Sequence, residues 1–279
     1  TGMKLVAGWF KANRGVALGV LVGSLTLGKA LPYLFAALSD GSWRSTILVS
    51  SGLSLAAGVL VLLAVRDGPH VSASAPFDPS AAVRMFTHRS TRLSVLGYLG
   101  HMWELYAMWA WVAVYVTTAL VVQGHPQAES LGALAAFVAI GAGAAGCVIA
   151  GVYADRFGRA RVAAWAMMVS ATCCALTVPA LHAPYAVIVT LVAVWGCSVV
   201  ADSAQFSAMV SETSPPEHMG TALTVQTCLG FLLTMLSIRL VSAGAAAVGW
   251  QWAFVILLPG PILGVQAMLV MMRARVSRQ

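Results

Sequence analysis

The segment Gly151-Val152-Tyr153-Ala154-Asp155-Arg156-Phe157-Gly158-Arg159-Ala160-Arg161 is short and charged, and it lies between two long apolar runs. Its four charged residues fall within seven positions, in a chain where only 9% of residues are charged. A charge at the centre of a bilayer costs at least ~2.5–3.5 kcal/mol, so a cluster of four is excluded from the hydrocarbon. The segment therefore marks one surface of a membrane, and the apolar runs on both sides of it are predicted to cross that membrane.

The composition of the whole chain agrees with this interpretation. Hydrophobic residues make up 59% of the sequence and the mean hydropathy is +0.85, whereas soluble domains carry about 25% charged residues. Runs of about 20 apolar residues are long enough to span a bilayer as helices. Backbone polar groups in lipid must be satisfied internally, and the short alternating segments of a membrane barrel are absent from the sequence. We predict an all-α integral membrane protein.

The apolar runs predict eight membrane spans in two groups. Residues 1–65 are expected to be the end of one six-helix half, residues 66–92 a hydrophilic cytoplasmic linker, and residues 93–279 a complete second half with a short tail. The opening residues resemble the tail of an interrupted helix, so we expect the N-terminal part of a twelve-helix fold to be missing. The spans are placed near 16–38, 43–65, 93–120, 131–152, 162–181, 185–208, 220–243 and 250–272.

Basic residues predict the orientation of these spans. They concentrate in the connections of one side, while the other side keeps Arg44 and Arg239. The positive-inside rule places the linker and the C-terminus in the cytoplasm of a cell that carries the protein in its plasma or inner membrane. It also accounts for the net charge of +7 without nucleic acid. The basic residues of the first side are Lys4, Lys11, Arg14, Arg66, Arg84, Arg89, Arg92, Arg156, Arg159, Arg161, Arg273, Arg275 and Arg278.

The sequence offers no pattern for a metal, a cofactor or catalysis. The five cysteines lie inside apolar runs and show neither metal-ligand spacing nor a disulfide framework. No Walker or zincin motif and no Ser/His/Asp arrangement is present. We expect a protein that is not an enzyme and that uses no cofactor or metal.

A short internal similarity suggests two related halves. Arg14-Gly15-Val16-Ala17-Leu18 enters the first span and Met219-Gly220-Thr221-Ala222-Leu223 enters the seventh, about 205 residues later. A repeat with the same orientation at both copies fits two parallel six-helix halves.

The charged segment is similar to the Gly-x-x-x-Asp-Arg-x-Gly-Arg motif of the major facilitator superfamily, through Gly151, Asp155, Arg156, Gly158 and Arg159. The chain resembles the fifth to twelfth helices of that family, with the segment joining the eighth and ninth. Residues 10–19 resemble the entry into the fifth helix. Residues 214–222 resemble the entry into the eleventh, with His218 and Met219 where an arginine is common.

The resemblance implies a gating role for the motif. Asp155 would lie at the N-terminus of the helix that starts near Gly220, where the helix dipole favours a carboxylate. Arg156 and Arg159 would pair with carboxylates at neighbouring helix ends, with Glu212 as a candidate, in contacts that form in one conformation and break in the other. The alternative is a charge cluster that only sets topology.

Ionisable residues inside a predicted span are functional candidates, because burying them in a membrane is costly. Glu104 lies near the middle of its span and His101 one turn earlier on the same face. A carboxylate beside an imidazole can exchange protons, and Tyr106 and Trp109 follow as candidates for the wall of a substrate site. The alternative is a structural pair with aromatic packing around it.

Two further spans carry candidates of the same kind. Asp202, with Gln205 one turn later, can serve in gating, in proton relay or in an interhelical hydrogen bond. Lys29 lies within the first span, where it can attract an anionic substrate or join a structural ion pair.

These features together predict a secondary active transporter that moves a small solute by alternating access, coupled to protons and acting as a monomer in the bilayer. Within transport, an anion permease and an efflux antiporter for drug-like molecules both remain open. The rival classes are a non-transporting receptor and a membrane enzyme built on the same scaffold.

Overall fold

The computed structural model describes residues 2–10, 14–38, 43–66, 68–69, 86–214 and 219–276. Most of the predicted linker, and residues 215–218 of the segment before the seventh span, lie outside the described residues. The helices are α1 (Gly2–Trp9), α2 (Arg14–Leu38), α3 (Trp43–Ala64), α4 (Arg89–Val122), α5 (Ala128–Phe157), α6 (Arg159–Ala180), α7 (Tyr185–Ala201), α8 (Ser203–Thr213), α9 (Met219–Val248), α10 (Trp250–Ala253) and α11 (Pro259–Val276).

Eight segments of the described chain are long and apolar enough to cross a membrane, which confirms the predicted number. They are α2, α3, α4, α5, α6, the pair α7–α8, α9, and the run from α10 to α11. Several helices extend beyond the predicted spans. α4 starts at Arg89 and α5 ends at Phe157, because a helix continues past the apolar stretch that the hydropathy detects.

Two of the eight spans are interrupted, which the sequence analysis did not predict. α7 ends at Ala201 and α8 begins at Ser203, so Asp202 separates them. A 3-10 turn at Phe254–Leu257 separates α10 from α11. The first interruption contains no proline or glycine, so the usual sequence signals of a helix break are missing there.

Small residues bring α5 close to helices on both of its sides. A Cβ built at Gly19 of α2 would lie 2.8 Å from the Cys147 carbonyl oxygen of α5. On the other side, a Cβ at Gly196 of α7 would collide with the carbonyl oxygen of Ala139. Without a hydrophobic driving force between helices in lipid, such close backbone approach is a main source of packing energy. α5 is therefore fixed between α2 and α7.

The bundle has two different ends. We call the end where α4 and α6 begin and α5 ends the basic end. Arg89, Arg156, Arg161 and Arg273 are exposed there, and Arg159 is half-buried. The opposite end carries the connections between α4 and α5 and between α6 and α7. Both interrupted spans connect these two ends, so the break at Asp202 lies within the depth of the bundle.

Candidate functional site

Glu104 of α4 is buried inside the second group of helices, with 2% of its surface exposed. One of its carboxylate oxygens, Oε1, accepts two hydrogen bonds of 2.7 Å. Ser170 Oγ of α6 donates the first, and Trp195 Nε1 of α7 donates the second. The carboxylate is thus held at the junction of three helices.

His101 lies one turn from Glu104 on α4 but contacts a different acid. Its Nδ1 lies 2.8 Å from Asp202 Oδ1, at the break between α7 and α8. Both side chains are 2% exposed. The ring N–H does not point along the line to the carboxylate, so the contact is electrostatic and not an aligned hydrogen bond. The predicted His101–Glu104 pairing is therefore replaced by two neighbouring contacts, each with its own partner.

A second polar group lies nearer the basic end. Arg159, the first residue of α6, donates from Nε to Glu212 Oε1 at 2.7 Å and from Nη1 to Gln205 Oε1 at 3.1 Å. Gln205 is buried, whereas the side chain of Glu212 is 48% exposed. The expected pairing of Arg159 with Glu212 is present in the structure.

These contacts share one helical face. Asp202, Gln205 and Glu212 are spaced three and seven residues apart, which places them on the same side of α8. Together with Glu104 and His101, they form a row of polar side chains from the interior of the bundle to its basic end. We call this row the polar row.

The interior part of the polar row holds two carboxyl groups and one imidazole. Every Lys or Arg side chain whose burial is described is exposed or half-buried. If both carboxyl groups were ionised beside a neutral imidazole, a net charge of −2 would be buried, which low-dielectric surroundings disfavour strongly.

The aromatic residues after Glu104 have different roles. Tyr106 is half-buried, and its ring centroid lies 5.3 Å from those of Trp109 and Phe231. Trp109 is buried, its Nε1 has no hydrogen-bond partner among the described residues, and its carbonyl accepts from Tyr33. A buried indole N–H without a partner is uncommon in a folded protein.

Lys29, the candidate on α2, is exposed in the structure. Its neighbours Thr26 and Ala30 are buried, so it lies at the edge of the face with which α2 packs against α5. The structure does not bring Lys29 together with the polar row.

The charged motif turns the chain between α5 and α6. Gly151 is buried, whereas Gly158 is the single residue between the two helices and has φ +88°. This is the left-handed region that favours glycine. Arg156 lies with its guanidinium carbon 5.2 Å from the ring centroid of Phe157, where we had expected a carboxylate partner.

The expected position of Asp155 beside the helix starting near Gly220 stays a prediction. α5 packs most extensively against α2, and Gly19 and Gly23 lie opposite Cys147 and Ala144. In this antiparallel register, the C-terminal part of α5, which carries the exposed Asp155, runs towards the end of the bundle where α2 begins.

Sequence analysis missed several polar residues that the structure makes prominent. Ser170 and Trp195 hold Glu104, yet they look like ordinary members of apolar runs. Gln226 of α9 is fully buried, and neither its Nε2 nor its Oε1 has a partner among the described residues. The rule that singled out Gln205, an amide inside a span, would have found Gln226 as well.

Outside the polar row, the described residues form one open cleft and no group of metal ligands. An open cleft of about 790 Å³ lies at the opposite end, lined by Gly244, Val248, Trp252, Val255 and Ile256, away from the polar row. No three His, Cys, Asp or Glu side chains within the described ranges are grouped so that they could hold a metal ion.

The fold and the polar row define a multi-pass helical membrane protein with ionisable groups buried in its bundle. The family model described as Major Facilitator Superfamily matches residues 1–237 and, in an overlapping match, residues 125–278. The chain therefore belongs to the Major Facilitator Superfamily, a family of membrane transporters. This membership supports a membrane transporter.

A solved structure shares this fold. It is described as the crystal structure of a bacterial homologue of the iron transporter ferroportin in an outward-facing state. The match has 13% sequence identity and a TM-score of 0.59, and it covers 94% of this chain and 69% of that chain. No curated protein matches the chain. At this identity, the likeness concerns the fold alone.

Proposed function

We propose that the protein is a secondary active transporter that moves a small solute by alternating access and couples this movement to protons. The observation that carries the proposal is the buried group of Glu104, His101 and Asp202, since ionisable residues inside a membrane mark ion or proton pathways. Alternating access in transporters of two parallel halves is largely a rocking of one bundle against the other.

The position of the group supports coupling more than direct solute binding. Glu104 is held by α6 and α7 within its own bundle. A change of protonation there alters how these three helices attract one another, which gives protons a means to bias the conformation.

Residues outside this group favour different classes of solute. Lys29 favours an anion, whereas Tyr106, Trp109 and Phe231 favour a flat or amphipathic molecule. The test panel therefore contains inorganic and organic anions and amphipathic drug-like cations. It also contains Fe²⁺, because the solved structure with this fold is described as a homologue of an iron transporter.

We further infer that the motif Gly151, Asp155, Arg156, Gly158 and Arg159 takes part in gating. The contact of Arg159 with Glu212 and Gln205 ties the start of α6 to α8 at the basic end. With the basic end in the cytoplasm, the C-terminus is cytoplasmic as well. The protein is further proposed to act as a monomer in the plasma or inner membrane.

The deciding experiment measures solute flux in proteoliposomes that contain the full-length protein, with an imposed pH gradient. We expect gradient-driven accumulation of at least one member of the panel, and a loss of this accumulation in Glu104→Gln. Lack of flux for every member would argue for a receptor. Flux that ignores both the gradient and Glu104→Gln would argue against proton coupling through this residue.

A further inference from the structure

The contact between His101 and Asp202 lies at the break between α7 and α8, and neither residue is needed to hold Glu104. Asp202 has φ −84° and ψ −13°, and its carbonyl oxygen accepts from the backbone N–H groups of Gln205 at 2.9 Å and Phe206 at 3.2 Å. The carbonyl oxygen of Val200 accepts from the Cys147 thiol of α5 at 3.6 Å. The break is thus stabilised by the first turn of α8 and by one contact from α5.

The geometry of the pair makes its contact depend on a proton. Nδ1 of His101 and Oδ1 of Asp202 are 2.8 Å apart without an aligned hydrogen bond, so the attraction between them is mainly electrostatic and is strongest when the imidazole is charged. A charged imidazole and a carboxylate give a buried pair with no net charge. Loss of one ring proton leaves a buried net charge of −1 and removes the attraction, which burial disfavours.

The second ring nitrogen of His101, Nε2, is buried and has no hydrogen-bond partner in this structure among the described residues. The same holds for Nε2 of Gln205, one turn beyond Asp202 towards the basic end. Beyond Gln205, the polar row continues through Arg159 to the half-exposed Glu212.

Other charged or titratable groups face this pair from each packed helix. Tyr98 of α4 has its ring centroid 5.9 Å from that of His101, and Glu104 lies one turn away on the same helix. α5 contributes the Cys147 thiol, and α6 contributes Arg159 through Gln205. Cys197 of α7 is a half-buried thiol on the side that faces α5. Of the other titratable groups, Tyr106 contacts Trp109 and Phe231, Tyr33 donates to Trp109, and Lys29, Cys228, Arg239 and Arg273 are exposed.

We propose that His101 and Asp202 form a proton-binding site of this protein beside Glu104, and that the bound proton holds the α7–α8 break against α4. In the occupied state, His101 carries protons on both ring nitrogens and Asp202 is a carboxylate. Release of the Nε2 proton to water leaves a neutral imidazole and frees the break from α4. The link of this site to solute movement rests on the proposed function above.

The test records infrared difference spectra between acidic and alkaline pH on the full-length protein in lipid, with ring-labelled histidine. The chain has six histidines, so the wild-type spectrum minus that of His101→Gln isolates the contribution of His101. We expect a pH-dependent His101 signal in the wild type and its loss in Asp202→Asn, although the imidazole is still present. His182→Gln, which changes an exposed histidine at the opposite end, is the matched control and should leave this signal intact.

The proposal is overturned if wild type and His101→Gln give the same difference spectrum, or if Asp202→Asn leaves the His101 signal unchanged. Should Asp202→Asn fail to fold, Asp202→Glu keeps a carboxylate and must retain the signal. A wild-type His101 signal that is lost in Asp202→Asn supports the proton site even if proteoliposomes show no proton-driven flux. In that case, the failure belongs to the proposed transport function and not to the site.

Discussion

The carboxylate of Glu104 has two donors fixed around one oxygen, Ser170 Oγ and Trp195 Nε1. An amide oxygen can accept both bonds in the same place, whereas a leucine side chain can accept neither. The two replacements therefore separate the role of the charge from the role of the acceptor.

We predict that Glu104→Gln changes the stability of the folded protein by less than ~1 kcal/mol. Glu104→Leu leaves two buried donors without partners and should cost about 1–3 kcal/mol for each. Thermal unfolding of the purified protein in detergent gives both values, and tryptophan emission reports the environment of Trp195. Equal destabilisation by the two variants would show that the negative charge itself holds α4, α6 and α7 together.

The ion pair of Arg159 and Glu212 is more exposed to solvent than the Glu104 carboxylate, so its contribution to stability is smaller. The Glu212 side chain is 48% exposed, and exposed pairs typically contribute 0.2–1 kcal/mol to stability, less at high salt. Its suggested importance lies in gating and not in folding.

We predict a coupling energy within ~1 kcal/mol for a double-mutant cycle of Arg159→Ala and Glu212→Ala, falling as salt is added. Denaturant unfolding of the wild type, both single variants and the double variant gives this energy. A coupling of several kcal/mol that ignores salt would mean that the pair is shielded from water and acts as a fold-determining contact.

At the scale of the helices, the approach of α7 to α5 depends on the absence of a side chain at Gly196. A Cβ there collides with a backbone carbonyl of Ala139, which cannot move aside as a flexible side chain could. Gly220 of α9 is also helical, but no atom of the described residues lies within 4 Å of a Cβ added there, so it provides a matched control.

We predict that Gly196→Ala destabilises the protein by about 1–3 kcal/mol or more, since about 1–3 kcal/mol is the usual cost of overpacking. Gly220→Ala should be neutral or stabilising by up to about 1 kcal/mol, because alanine favours a helix. Thermal unfolding of both variants beside the wild type measures the difference. Equal stability of Gly196→Ala and the wild type would contradict the close packing of α5 and α7.

The sequence predicts the helices of this protein better than it predicts the contacts between them. Long apolar runs fix the number of spans because the cost of polar groups in lipid acts on each segment alone. The break at Asp202 and the partners of Glu104 depend on contacts between helices more than 60 residues apart in the chain. Local spacing placed His101 beside Glu104 correctly, but it could not show that each one turns to a different helix.

The same limit applies to Asp155. The charged motif predicts a turn at the membrane surface from local charge alone, and Gly158 provides the positive φ that this turn uses. Which helix start lies beside Asp155 is decided by the packing of α5 against α2 through Gly19 and Gly23. That packing depends on both helices together, so the sequence of either helix alone does not predict it.

At the scale of the whole molecule, the two ends of the bundle differ in charge, which makes their orientation testable. The positive-inside rule predicts that the basic end faces the cytoplasm. His88, just before α4, is exposed at this end. His125 and His182, in the connections after α4 and α6, are exposed at the opposite end.

Single cysteines introduced at these three positions in a variant without the five native cysteines provide the measurement. We predict that a membrane-impermeant thiol reagent labels His88→Cys only in inside-out vesicles, and His125→Cys and His182→Cys only in right-side-out vesicles. Odd numbers of spans separate His88 from each of the other two positions, so these labels must fall on opposite sides if α4, α5 and α6 all cross. Labelling of all three positions from one side would show that these helices do not cross the membrane, and the proposed proton-binding site would then not lie within it. Labelling from the reversed sides would place the basic end outside the cell.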